Sequence, residues 1–150
     1  IATIAAAAFV ASPTALACVA VIATDPQTGE TYMSGSDEWL RREQAGWRAK
    51  SEVVVVAQAR EGRMIDAHEV EFVLTPFATV YGGDLPQNNF RIRWRPGDSC
   101  NRLDLTVSSL LVVFVGTDGG VAGFTSPSLL QDRPADFSAK LRTSRTATFQ

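Results

Sequence analysis

The chain has 150 residues, a length that fits one domain. Hydrophobic residues make up 45% and charged residues 20%, a globular composition that excludes general disorder. Formal net charge is −2, so overall electrostatics give no support to a nucleic-acid partner, and none is expected.

The charge is unevenly placed, because every charged residue lies at or beyond Asp25. Residues 1–17 are an apolar run, a helix-breaking Pro13, and then Ala15-Leu16-Ala17. That order matches the h-region and small-x-small cleavage site of a secretory signal peptide. No initiator Met or basic n-region precedes it, so the expected leader lacks its start here. The expected mature chain begins at Cys18, and its expected location is secreted or periplasmic, in the cell envelope. Two alternatives stay open. A transmembrane helix needs about 20 apolar residues and would have to tolerate Pro13. A lipid on Cys18 would tether the chain to a membrane, although Leu16 stands two residues before the cysteine and not three.

The cysteines are Cys18 and Cys100. In an oxidising compartment they allow one intramolecular pairing, which would stabilise by about 4 kcal/mol in the loop-entropy view. Two buried thiols or an intermolecular pair are the alternatives. No CxxC pair or neighbouring His completes a metal site, so no metal and no cofactor is expected.

Residues 18–24 are β-prone and end at Asp25-Pro26, and 27–35 form a polar turn region. A helix is predicted from Ser36, with Ser36 or Ser34 as cap, Asp37 and Glu38 at its positive end, and Gly46 as stop. Its stripe of Trp39, Leu40, Glu43 and Trp47 should dock on a sheet. Strands are then predicted over 52–60, around Val53-Val54-Val55-Val56, and over 68–81, where Pro76 implies a bend, bulge or edge. Residues 82–89 read as a loop. Phe90, Ile92 and Trp94 alternate with Arg91, Arg93 and Arg95 in the next strand, and further strands are predicted over 103–107, over 110–115 and through Phe124. A helical turn is expected over 128–131. Residues 127–150 are expected to be a partly disordered C-terminal extension, with a polar tail from Lys140. The pattern predicts a mainly β fold over residues 18–126. Its expected form is a small closed or partly closed barrel with one helix, and a sandwich is the other choice.

No catalytic motif is present. Arg91, Arg93 and Arg95 could bind an anion or a single nucleic-acid strand, or they could form a solvated face paired with Glu69 and Glu71. His68, the only histidine, shares the parity of Val70 and Phe72 at the start of a strand's inner face, and no nucleophile motif surrounds it. The carboxylates Glu43, Asp98, Asp104 and Asp118 have no spacing that makes any two converge; Asp98 and Asp118 read as turn formers. Trp39, Trp47 and Trp94 read as core or as the lining of a groove.

The run Ala49-Lys50-Ser51-Glu52-Val53-Val54-Val55-Val56-Ala57-Gln58-Ala59, after a Cys and a short helix, resembles the first strand of netrin-like domains. The amphipathic strand ending in Tyr81-Gly82-Gly83, then Cys100 and the strand over 110–115, continue the likeness across residues 18–125. The family includes the tissue inhibitors of metalloproteinases. The resemblance implies an OB-like five-stranded barrel with the N-terminal cysteine bridged to a mid-domain cysteine. In the inhibitory members, the N-terminal amine and carbonyl chelate a protease's zinc and the next residue enters its specificity pocket. Those positions are Cys18 and Val19 here. The chain departs from them in having Ala20 where they carry a second cysteine. The expected function is a non-enzymatic binding or envelope protein, with an unknown protein or small molecule as partner. Inhibition of a metalloprotease through Cys18 is the alternative, and a hydrolase built on His68 is a third.

Overall fold

The computed structural model describes residues 22–33, 35–95 and 105–146. Cys18, Val19 and Cys100 lie outside the described residues, as do the expected leader and Asp98, Leu103 and Asp104.

The fold is mainly β. A short hairpin comes first: β1 (Ile22–Thr24) lies in the stretch read as β-prone, and its partner β2 (Thr31–Met33) lies in the region that the sequence suggests is only a turn. Asp25 organises the connection, accepting from the backbone N–H groups of Gln27 and Thr28 at 2.7 and 3.2 Å.

Helix α1 (Asp37–Ala49) follows. Ser36 caps it, its hydroxyl accepting from the Trp39 N–H at 3.2 Å, with Asp37 and Glu38 in the first turn. The helix runs through Gly46 to Ala49. A Cβ at Gly46 would meet open space, so the glycine costs only helix propensity, about 1 kcal/mol. The docking of Trp47, one residue later, outweighs that cost: its ring lies 5.5 Å from that of Phe114.

The main sheet is antiparallel and five-stranded, formed by β3 (Ser51–Met64), β4 (Val70–Gly82), β5 (Phe90–Trp94), β6 (Leu110–Gly116) and β7 (Val121–Thr125). Its lateral order is β5-β4-β3-β6-β7. Three consecutive strands, with the fourth returning beside the first, make a Greek key. Residues 105–109 are not a strand; they turn, with Leu105 buried in the core.

The long β3–β4 hairpin has register shifts at Val54/Val55, Val56/Ala57 and Ala59/Glu61. Each extra residue adds local twist and bend, which curls the sheet. The middle shift leaves Phe77 extra beside Pro76, so the proline falls at a bulge, beyond the stretch of β4 that pairs with β5.

Curling lets one face of the sheet pack on itself. Val53, Val55, Ala57, Ala59, Phe72, Leu74, Phe90, Ile92, Leu111, Val113 and Val115 form one core, with Trp94 and Phe124 against it. The opposite parity, Val54, Val56, Val80, Val112 and Phe114, is buried as well. That second face is covered by the C-terminal segment, through Leu130, Phe137 and Leu141, together with Trp47 of α1. The sequence suggests a helical turn over 128–131 and a polar tail from Lys140; in the structure a 3-10 turn at Pro127–Leu129 overlaps the expected turn, and helix α2 (Phe137–Thr146) stands where the tail is expected to begin. Burial of the β3 valines on both faces requires such a cover.

Edge strands β5 and β7 are not hydrogen-bonded to each other, so the sheet is not closed into a barrel, yet some of their Cα atoms lie within 8 Å. Helix α1 lies over this seam. Leu40, Glu43 and Trp47 of the helix face Trp94 of β5 and Gly123 and Phe124 of β7 around a cavity of about 200 Å³. Gly123 is required there, because a Cβ would overlap the Trp47 indole.

Candidate functional site

The arginine stripe is largely paired. Arg91 reaches Glu71 at 2.9 Å, Arg63 reaches the same carboxylate oxygen at 2.9 Å, and Arg95 lies 3.6 Å from Glu69. Burial alone would raise the Glu71 carboxyl, but the hydrogen bonds from Arg91 and Arg63 outweigh it and hold the group below the usual range. Arg93 is exposed and has no ion-pair partner among the described residues. The cross-strand pairing is that of a solvated face.

His68 is not on an inner strand face. It sits exposed in the 65–69 turn, where its backbone N–H donates to Asp66 at 2.7 Å. Asp118 is a turn former, accepting from the Gly120 N–H at 2.9 Å. Glu43 is half-buried on α1, where desolvation raises its carboxyl and a hydrogen bond from the Trp39 indole at 3.3 Å only partly offsets that. Trp39 also stacks edge-on against Tyr32, and the three tryptophans do not line one groove. Among the described residues, no group of three or more His, Cys, Asp or Glu side chains could hold a metal, and no helix is long and apolar enough to cross a membrane.

Further surface concavities lie among the described residues, and three of them concern the residues above or their neighbours. The first is a cleft of about 390 Å³ between the 82–89 loop and the 116–119 turn. Its polar walls are Glu52, Asp84, Asn88, Asn89 and Thr117, and its floor is the rim of the core at Val53, Phe90 and Val115. Gly82 closes the β4 end beneath it with φ of 88°, and a Cβ there would overlap the Glu52 carbonyl. None of the three stripe arginines lines this cleft.

The second is a groove of about 500 Å³ where α1 meets the 130–132 segment. Sequence reasoning does not single it out. Gln44, 4% exposed, holds its two sides together: Nε2 donates to the Leu129 carbonyl at 3.0 Å and Oε1 accepts from the Gln131 N–H at 2.8 Å. The available signal is a glutamine four residues after Leu40 and three before Trp47, on the apolar side of the helix. Tyr81 donates its hydroxyl to the Asp132 carbonyl, and the Arg48 guanidinium lies 4.9 Å over the Tyr81 ring. Burial pushes the Tyr81 phenol up, and the Asp132 carboxylate adds to that.

The third concavity surrounds Arg42, which bonds Asp25, Glu30 at 2.6 Å and Glu38 at 2.8 Å, and stacks 4.8 Å from the Tyr32 ring. This network ties the β1–β2 hairpin to α1.

Compared with family models, with curated proteins and with solved structures, the chain has no match.

Proposed function

We propose that the protein is an exported, non-enzymatic binding module of OB-like, netrin-like type. The architecture supports this in two ways. A Greek key of five strands, with its edge strands near each other under α1, is compatible with a partly open OB barrel, and this supports the reading. The interior of the curl is filled by side chains, so ligands are met on its outer rim.

The observation that carries the binding reading is the cleft between the 82–89 loop and the 116–119 turn. Two carboxylates, two amides and a hydroxyl converge there over an apolar floor, at a size suited to a small polar molecule. Labelled protein titrated with a panel of small saccharides, amines and carboxylates tests it by backbone NMR. A cleft ligand moves the amides of 82–89 and 116–119, and Asn88→Ala with Asn89→Ala weakens it. Panel binders that move only amides elsewhere would sink this assignment.

A second reading, inhibition of a metalloprotease through the amine of Cys18, is favoured by the Arg42 network, which anchors the hairpin close after that cysteine. Acetylation of the mature amine abolishes inhibition under this reading; unchanged inhibition removes it.

A further inference from the structure

The groove between α1 and the 130–132 segment has the chemistry of a second, separate site. Its floor is buried and apolar, formed by Phe114 at 2% and Leu130 at 4% exposure. Ala45 and Ala49 form a flat wall on α1, because their short side chains leave the space that a longer residue would fill. The buried Gln44 is fully engaged by the backbone at 129 and 131, so the two walls are held apart at a set distance. A groove held open in this way does not close when empty, which reduces the ordering cost of binding.

The charges at its mouth are Arg41, Arg48 and Asp132. Arg41 is already engaged by Glu38 at 2.6 Å. Arg48 has no carboxylate partner among the described residues; its guanidinium lies over the face of Tyr81 at 4.9 Å. Stacking leaves the guanidinium N–H edge free to donate two parallel hydrogen bonds, which suits a carboxylate. Asp132 lies on the opposite wall, and its backbone carbonyl is held by Tyr81. Asp132 has φ of 49°, in the left-handed region, so the turn of the 130–132 segment is held in place by these contacts.

The geometry points to a binding site for a small monocarboxylate with a flat apolar body, its acid on Arg48 and its body against Phe114, Leu130, Ala45 and Ala49. The volume, about 500 Å³, is in the range of small-molecule sites. Charge complementarity comes from Arg48, the cation at the mouth without a carboxylate partner among the described residues, while the Asp132 carboxylate in the same groove opposes further negative charge, so the ligand should carry one negative charge. This site shares no residue with the 82–89 cleft and stands or falls independently of it.

The test uses 3-phenylpropionate as probe, with 3-phenylpropanamide and acetate as controls, followed by backbone NMR on the labelled protein. The acid should saturate at a Kd of about 1 mM or tighter, moving amides at 44–49, 81 and 130–132. The amide, which lacks the charge, and acetate, which lacks the body, should each bind at least about tenfold more weakly. Arg48→Gln should lose a similar factor, and Ala45→Leu, an exposed helix position, should block the groove without unfolding the chain. Equal binding of acid and amide, shifts confined to other surfaces, or no saturation by any probe would overturn the assignment. Shifts confined to 82–89 would overturn it while leaving the cleft reading intact.

Discussion

Replacing Gln44 should loosen the whole C-terminal cover of the sheet. Its amide makes two hydrogen bonds to the backbone at 129 and 131 from a site that is 4% exposed. The Leu129 carbonyl keeps a second donor, Gln131 Nε2 at 3.2 Å, so only the Gln131 N–H is orphaned. Two lost hydrogen bonds at about 1 kcal/mol each, with one part-buried donor left unpaired, give about 2–3 kcal/mol for Gln44→Ala. At about 4 °C per kcal/mol this lowers the melting temperature by roughly 10 °C. Gln44→Met keeps the volume and separates packing from hydrogen bonding: it should lose about 2 kcal/mol even though the groove wall stays filled. Urea unfolding supplies the free energies, and hydrogen exchange at Leu130 and Gln131 should show the loss concentrated there. A Gln44→Met variant as stable as the parent, with unchanged exchange at those amides, would refute the reasoning.

Two glycines should respond with opposite signs. Gly46→Ala should stabilise by about 0.5–1 kcal/mol by removing a helix-interior glycine in open space, whereas Gly123→Ala should destabilise by about 1–3 kcal/mol by forcing Trp47 off β7, both read by urea unfolding. For Glu43, desolvation raises the folded-state carboxyl, so folding is favoured while it is protonated and that contribution is lost as pH rises through its folded value. Glu43→Gln should therefore be more stable than the parent at neutral pH, with the gain disappearing below the ordinary glutamate range; a pH-independent gain would contradict this. Glu71 has the opposite sign: its folded carboxyl is depressed, so its contribution is present at neutral pH and is lost as pH falls through that depressed value. Carbon NMR of Arg91→Ser with Arg63→Ser should show the Glu71 carboxyl titrating at higher pH than in the parent.

Much of the sheet was legible because its signals are local. The Val53–Val56 run, the alternation of Phe90, Ile92 and Trp94, and the Ser36 cap each announce an element from its own residues. The elements that escaped depend on distant partners. β2 is only three residues long and is held by β1 and the Arg42 network, and neither shows as periodicity. Helix α2 carries few apolar anchors, Phe137 and Leu141 among them, and reads as a polar tail until the second face of β3 and β6 is seen to need cover. His68 follows the parity of β4 but falls one turn outside it, since Asp66 bends the chain there. The 82–89 cleft was partly foreseen as a loop. The α1 groove was not, because residues far apart in the chain build it and only Gln44 on an apolar face hints at it.

The reading of this protein as an exported module rests on Cys18, and intact mass tests it most directly. The full precursor would be expressed in a secreting host and weighed with and without reduction and alkylation. A mature chain starting at Cys18 is expected, with no alkylation until reduction and two additions afterwards, one each at Cys18 and Cys100. An uncleaved leader, a lipid-sized mass increase, or cysteines alkylated without reduction would contradict it.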